Sequence, residues 1–116
     1  MAVSVTIWHN PRCSKSRATL ALLEARGIEP EVRLYLKTPP APAEILEVAR
    51  MLGRRPIDFA RRGEAAFAEH GLSAEMPDAE VAEVMAANPI LIERPIVIAN
   101  GTAAIGRPPE AVLEIL

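Results

Sequence analysis

Val3-Ser4-Val5-Thr6-Ile7-Trp8-His9-Asn10-Pro11-Arg12-Cys13-Ser14-Lys15-Ser16-Arg17 opens with a short alternating run and passes into a loop that holds the chain's only cysteine. The β-branched alternation of Val3 to Trp8 predicts a strand, and Ser16 to Arg26, with Leu20, Leu22 and Leu23 at helical spacing, predicts a helix. Cys13 then falls in the turn that feeds a helix start, where unpaired main-chain N–H groups and the helix dipole favour an anion. Three cations, Arg12, Lys15 and Arg17, lie within four residues of it. A thiol attacks as its thiolate, and such surroundings raise the thiolate fraction. A lone cysteine is elsewhere often a small buried hydrophobe; the polar, turn-like neighbours of this one favour a reactive thiol in an active-site loop.

Working outward, Gly27 stands where a helix C-cap belongs, and Glu31-Val32-Arg33-Leu34-Tyr35-Leu36 alternates as a second strand. Strand, crossover helix and strand predict a parallel pair with a right-handed connection. Thr38-Pro39-Pro40-Ala41-Pro42 breaks the pattern, and Ala43 to Leu52 resumes a helix with Ile45, Leu46, Ala49 and Leu52 on one face. Arg54 to His70, carrying Ile57, Phe59, Ala60 and Phe67, reads as one or two short helices interrupted near Gly63. Pro77 at a first helical position opens Asp78 to Ala87, with Val81, Val84 and Met85 as its apolar face and Asn88-Pro89 as its stop. The middle of the chain is expected to be all helical.

Ile96 to Ala99 follows Pro95 and ends in Asn100-Gly101, a strong hairpin signal that returns Thr102 to Ile105 as partner strand. Pro108 to Leu116 closes the chain as a short helix. The order is β-α-β, a helical insertion at about 43–88, then β-β-α. It predicts an α/β fold, a mixed four-stranded sheet with helices packed on it, as in a single thioredoxin-like domain over residues 1–116.

Composition narrows the function classes. The 116 residues suffice for a core without disulfides or metal, and half of them are hydrophobic. One cysteine and two histidines make no structural zinc site. A net charge of −2 argues against direct nucleic-acid binding. With no basic leader followed by an apolar run and no segment of spanning length, a soluble cytoplasmic protein away from membranes is expected. Eleven of the thirteen basic residues are arginine, a side chain suited to bidentate grip on oxyanions.

The spacings around the thiol are informative. A dithiol redox motif would place its second cysteine three residues on, and Ser16 stands there. An external thiol must therefore resolve any chemistry at Cys13. A cysteine phosphatase loop needs an arginine six residues after the cysteine, and Thr19 stands there. Arginines that bind a substrate must come from farther along: Arg61 or Arg62, Arg94 before Pro95, and Arg107 after the hairpin. For each, a solvated surface charge is the plain alternative. Arg94 precedes a strand start that faces the cysteine loop in this layout, and Arg107 can reach the same end of the sheet. His9 either shares charge with the thiolate or bonds backbone or water. Ser16 either offers its hydroxyl to the thiolate or caps the helix.

His9 to Arg17, Leu34-Tyr35-Leu36 with its Pro-rich turn, Asn88-Pro89-Ile90-Leu91-Ile92-Glu93-Arg94-Pro95-Ile96-Val97 and Ile105-Gly106-Arg107-Pro108-Pro109-Glu110 together resemble the glutaredoxin-coupled arsenate reductase (ArsC) family, in the same order and over nearly the whole chain. The resemblance implies that Cys13 attacks arsenate, that glutathione adds to arsenic as co-substrate, that glutaredoxin reduces the mixed species, and that no cofactor stays bound. It places the substrate-binding arginines on Arg61, Arg94 and Arg107 and the supporting residues on His9 and Ser16. The chain stops soon after Arg107, as in the short chromosomal subgroup, whereas plasmid-borne members carry a C-terminal extension. Two other readings share the fold: a redox-responsive transcriptional regulator resembling Spx, which often uses the Cys-x-x-Cys switch that Ser16 removes, and a glutathione-dependent thiol-exchange protein acting on another substrate.

Overall fold

The protein is described here as a computed structural model covering residues 4–116. The part of the first predicted strand at Val3 lies outside the described residues. The chain forms two compact units, one made of the residues up to Thr38 together with Arg94–Leu116, the other of Pro39–Glu93.

The first unit holds the sheet. Strand β1 (Val5–Trp8) leads through the loop to helix α1 (Ser14–Ala25), and β2 (Glu31–Arg33) follows the turn at Gly27, whose φ of 76° suits a residue without Cβ. Strands β3 (Ile96–Ala99) and β4 (Thr102–Ile105) form the hairpin, with Asn100 at φ 55° and Gly101 at 73° in its turn. The strand order is β2-β1-β3-β4. Strand β1 pairs parallel with β2 and antiparallel with β3, and β3 pairs antiparallel with β4. This is the mixed sheet expected of a thioredoxin-like fold. Alternate residues Val5 and Ile7 of β1 and Val97 and Ala99 of β3 pack with Leu23 of α1 and Val112 into one core cluster. Emptying such a site, as in Leu23→Ala, costs about 2–5 kcal/mol.

The second strand is shorter than its alternation suggests. It ends at Arg33, because the N–H groups of Lys37 and Thr38 both turn back to the carbonyl of Leu34, at 2.9 Å each. Tyr35 is buried within that turn rather than in a strand. The last segment, Pro109–Ile115, winds as a 3-10 helix instead of an α-helix. The Arg94-Pro95 and Arg107-Pro108 peptide bonds are both cis.

The second unit contains α2 (Pro42–Leu52), a 3-10 turn at Pro56–Phe59, α3 (Ala65–Glu69) and α4 (Asp78–Ala87). Gly53, at φ 67°, closes α2 in the left-handed region. The face of α2 that is buried carries Ile45, Val48 and Ala49; Leu46, expected inside, is 37% exposed, so the stripe keeps Ile45 and Ala49 but is shifted toward Val48. Helix α4 buries Val81, Ala82 and Met85 and packs on α2. Pro77 is its N-cap, one position earlier than the sequence suggests. The interruption near Gly63 is real, with the 3-10 turn on one side and α3 on the other. This unit is not wholly helical, since Ala60 and Ile92 form an isolated antiparallel bridge.

Candidate active site

The register of the sheet collects the candidate residues of the first unit. Trp8 at the end of β1 faces Ile96 at the start of β3, which faces Ile105 at the end of β4. The segments beyond these residues, carrying Cys13, Arg94 and Arg107, therefore leave the sheet at one end.

The loop between β1 and α1 is held by its own polar groups. The main-chain N–H of Cys13 donates to the carbonyl of Asn10 at 3.0 Å, and that of Arg12 to Asn10 Oδ1 at 3.0 Å, a side-chain turn typical of asparagine. Arg17 reaches back from Nη1 to the carbonyl of Pro11 at 2.9 Å. The N–H of His9 donates to the carbonyl of Arg33 at 2.8 Å, tying the loop's start to β2.

Cys13 is the N-cap of α1, with extended backbone and a partly buried side chain. Desolvation, the largest influence on its thiol, pushes the pKa up. The main-chain N–H groups of Ser16 and Lys15, together with the charge and hydrogen bonding of Arg94, outweigh it, and the thiol lies below its ordinary value of 9.0. The N–H groups of Ser16 and Lys15 favour the thiolate by hydrogen bonding to it. The first turn of α1 contains no acidic residue to oppose them.

Ser16 takes a position that sequence reasoning did not foresee. Its hydroxyl is fully buried and bonds neither the sulfur nor the helix end. It lies 2.6 Å from Nδ1 of His9 and accepts the main-chain N–H of Asn10 at 3.0 Å. His9 is itself buried, and desolvation followed by the charge of Arg17 keeps its imidazole below the ordinary 6.5. His9 and Ser16 thus brace the loop from behind, while the main chain of Ser16 serves the sulfur.

Arg107, exposed, donates from Nη1 to the carbonyl of Arg94 at 3.4 Å. Between them Gly106 donates its N–H to the carbonyl of Pro95 at 2.9 Å. A Cβ on Gly106 would stand 2.4 Å from Thr19 Oγ1 and 2.7 Å from Pro95 Cγ, so only glycine lets α1, the Arg94-Pro95 segment and the Arg107 segment approach this closely. Sequence reasoning missed this role for Gly106; the signal was a glycine directly beside a candidate arginine.

Arg61 belongs to the second unit. It ion-pairs with Glu64 at 2.7 Å, both side chains 25% exposed, and its main-chain N–H donates to the carbonyl of Leu91 at 2.7 Å. Arg62, its rival in sequence, is exposed and lies over the ring of Phe67 at 5.4 Å. Among the described residues no cluster of metal-ligating side chains occurs, and no helix is long and apolar enough to cross a membrane.

Comparison with known proteins gives the chain its kinship. An arsenate reductase of Haemophilus influenzae is 44% identical over 98% of this chain and 100% of its own length. An arsenate reductase of Escherichia coli is 40% identical over 97% of this chain and 81% of its own. The solved structure of an arsenate reductase from Vibrio cholerae, 48% identical, superposes with a TM-score of 0.95 over 100% of both chains. The ArsC family profile matches residues 8–115, spanning the thiol loop, both cis-proline segments and Arg107, and the chain belongs to the ArsC family.

Proposed function

We propose that this protein is an arsenate reductase that uses glutathione as co-substrate and glutaredoxin as its partner, with Cys13 as nucleophile. The observation that carries the reading is a single thiol whose pKa is lowered, against desolvation, by the N–H groups of Ser16 and Lys15 and by Arg94. The relatives named arsenate reductase, 44% and 40% identical and matched along nearly all of this chain, support the substrate.

On this reading Arg61, Arg94 and Arg107 grip the tetrahedral oxyanion and offset the repulsion between it and the approaching thiolate. The sulfur displaces one oxygen of arsenic(V), which leaves as water after taking up protons, and a Cys13–S–As bond forms. Glutathione displaces a second oxygen in the same way. A glutaredoxin thiolate then attacks the arsenic-bound glutathione sulfur. The two form a disulfide, and the electron pair of the broken S–As bond stays on arsenic, which becomes arsenic(III). Water releases arsenite and returns the thiolate of Cys13. The absence of a cysteine at position 16 is why the electrons come from outside the chain. On this reading the helical insertion at about residues 43–88 belongs to one thioredoxin-like domain, and the reducing cytoplasm, rich in glutathione, is the compartment that suits the cycle.

The test is an assay of the protein with arsenate, glutathione and glutaredoxin, followed through NADPH consumption by glutathione reductase. Turnover is expected, and Cys13→Ser should abolish it. Absence of turnover dependent on Cys13 sinks the reading.

A further inference from the structure

We propose that the pocket alongside the Cys13 loop seats free glutathione, its carboxylates held by Lys37 and Arg12. The inference rests on the glutathione dependence proposed above and adds the place where the co-substrate binds. The pocket, about 430 Å³, is walled on one side by the loop from His9 to Arg12 and on the other by Leu34, Leu36 and Lys37. Its size and mostly apolar lining with a few charged groups are those of a small-molecule site.

Its chemistry selects among small molecules. Arg12 and Lys37 are exposed cations, and none of the lining residues carries a carboxylate. The occupant should therefore be anionic and small, with enough apolar body to lie along Leu34 and Leu36. Glutathione carries two carboxylates against one ammonium and an otherwise uncharged backbone, so it complements two cations on apolar walls. Leu36 is 41% exposed, an apolar side chain left for a ligand to cover.

The walls are also built to keep their shape. The Asn10 turn fixes the main chain at Arg12, and the double turn onto the carbonyl of Leu34 fixes it at Lys37. His9 N–H to Arg33 carbonyl, at 2.8 Å, ties the two walls together. Arg12 is joined directly to Cys13, so this wall is continuous in the chain with the residue that carries the nucleophile.

The wild-type protein titrated with S-methylglutathione, whose sulfur cannot exchange, tests the site without arsenate. Saturable amide shifts are expected at Leu34, Leu36 and Lys37. Lys37→Glu should weaken binding about tenfold or more, and Lys37→Arg should retain it. In the arsenate assay Lys37→Glu should raise the KM for glutathione by a similar factor, while the KM for arsenate and the alkylation rate of Cys13 stay unchanged. No saturable shift in this pocket, or a glutathione KM indifferent to Lys37→Glu, overturns the proposal and leaves the arsenate reading standing. Binding that depends on Lys37 in a protein without arsenate turnover supports the pocket while overturning that reading.

Discussion

The hydroxyl of Ser16 lies 2.6 Å from Nδ1 of His9, both side chains buried beneath the loop that carries Cys13. The same oxygen accepts the N–H of Asn10, and a neutral His9 ring completes the pair with Nδ1 either accepting from the hydroxyl or donating to it. Burial, and after it the charge of Arg17, favours that state by lowering the imidazole pKa from 6.5. The unfolded chain then takes up a proton as pH falls below 6.5 that the folded chain refuses until its own lower pKa. Stability contributed by His9 is complete above 6.5 and is lost as pH falls through the folded value. Denaturant midpoints at about pH 7.5 and about pH 5.5 should show the loss, and His9→Gln should flatten it. An unchanged slope in the variant counts against the neutral, buried His9.

Gly106→Ala should destabilise the protein by about 1–3 kcal/mol, because the new methyl would overlap the hydroxyl of Thr19 and the ring of Pro95. Neither neighbour is free to yield: Thr19 is buried with Oγ1 bonded to the carbonyl of Lys15 at 2.8 Å, and Pro95 is a ring at the start of β3. The strain falls between Arg94 and Arg107, so the arsenate KM should rise as well. Thr19→Ala in the same background should recover part of the stability, a non-additive pair. A fully stable Gly106→Ala protein would show that the three segments can part without cost.

The order β-α-β, insertion, β-β-α was legible because each junction carries local chemistry: Gly27 after α1, the proline cluster before α2, Asn88-Pro89 after α4 and Asn100-Gly101 in the hairpin. The thiol loop was legible for the same reason, as a strand-to-helix turn with one cysteine. What failed depended on contacts far apart in sequence. Alternation from Glu31 to Leu36 could not reveal that Leu34 accepts two turn bonds, nor could helical spacing tell Leu46 from Val48 as the inward residue of α2. Ser16 was read as a cap or thiolate partner because both are local options; its bond to His9, seven positions away, requires the folded loop. Gly106 says nothing in sequence about Thr19, eighty-seven positions earlier, yet its missing side chain sets their distance.

Arg61 and Arg62 are adjacent in sequence but differ in what holds them. Glu64 fixes the guanidinium of Arg61, whereas Arg62 rests on Phe67. A positioned fork suits oxyanion binding and a stacked surface side chain does not. On the proposed assignment, Arg61→Gln should raise the arsenate KM about ten- to a hundredfold, the scale of a lost charge-assisted hydrogen bond. Arg62→Gln should leave it within about twofold, as exposed substitutions usually do. The reverse ranking would move the third substrate arginine to Arg62.

Arg94 should control the thiol as well as the substrate. The rate of Cys13 alkylation by iodoacetamide follows the thiolate, so it rises with pH through the lowered pKa and then levels. Arg94→Gln removes both the charge and the hydrogen bonding that favour the thiolate, and the midpoint should move upward. It should not reach the value of an unassisted buried thiol, because the N–H groups of Ser16 and Lys15 belong to the main chain and survive the substitution. Arg94→Lys should restore the charge but not the fork, giving a midpoint between the two with arsenate binding still impaired. Arg107→Gln, whose guanidinium meets the carbonyl of Arg94 rather than the sulfur, should leave the alkylation profile near that of the wild type while raising the arsenate KM. If Arg107→Gln displaces the midpoint as far as Arg94→Gln does, or if Arg94→Gln leaves it in place, the division between the arginine that tunes the thiol and the one that only receives the substrate is wrong.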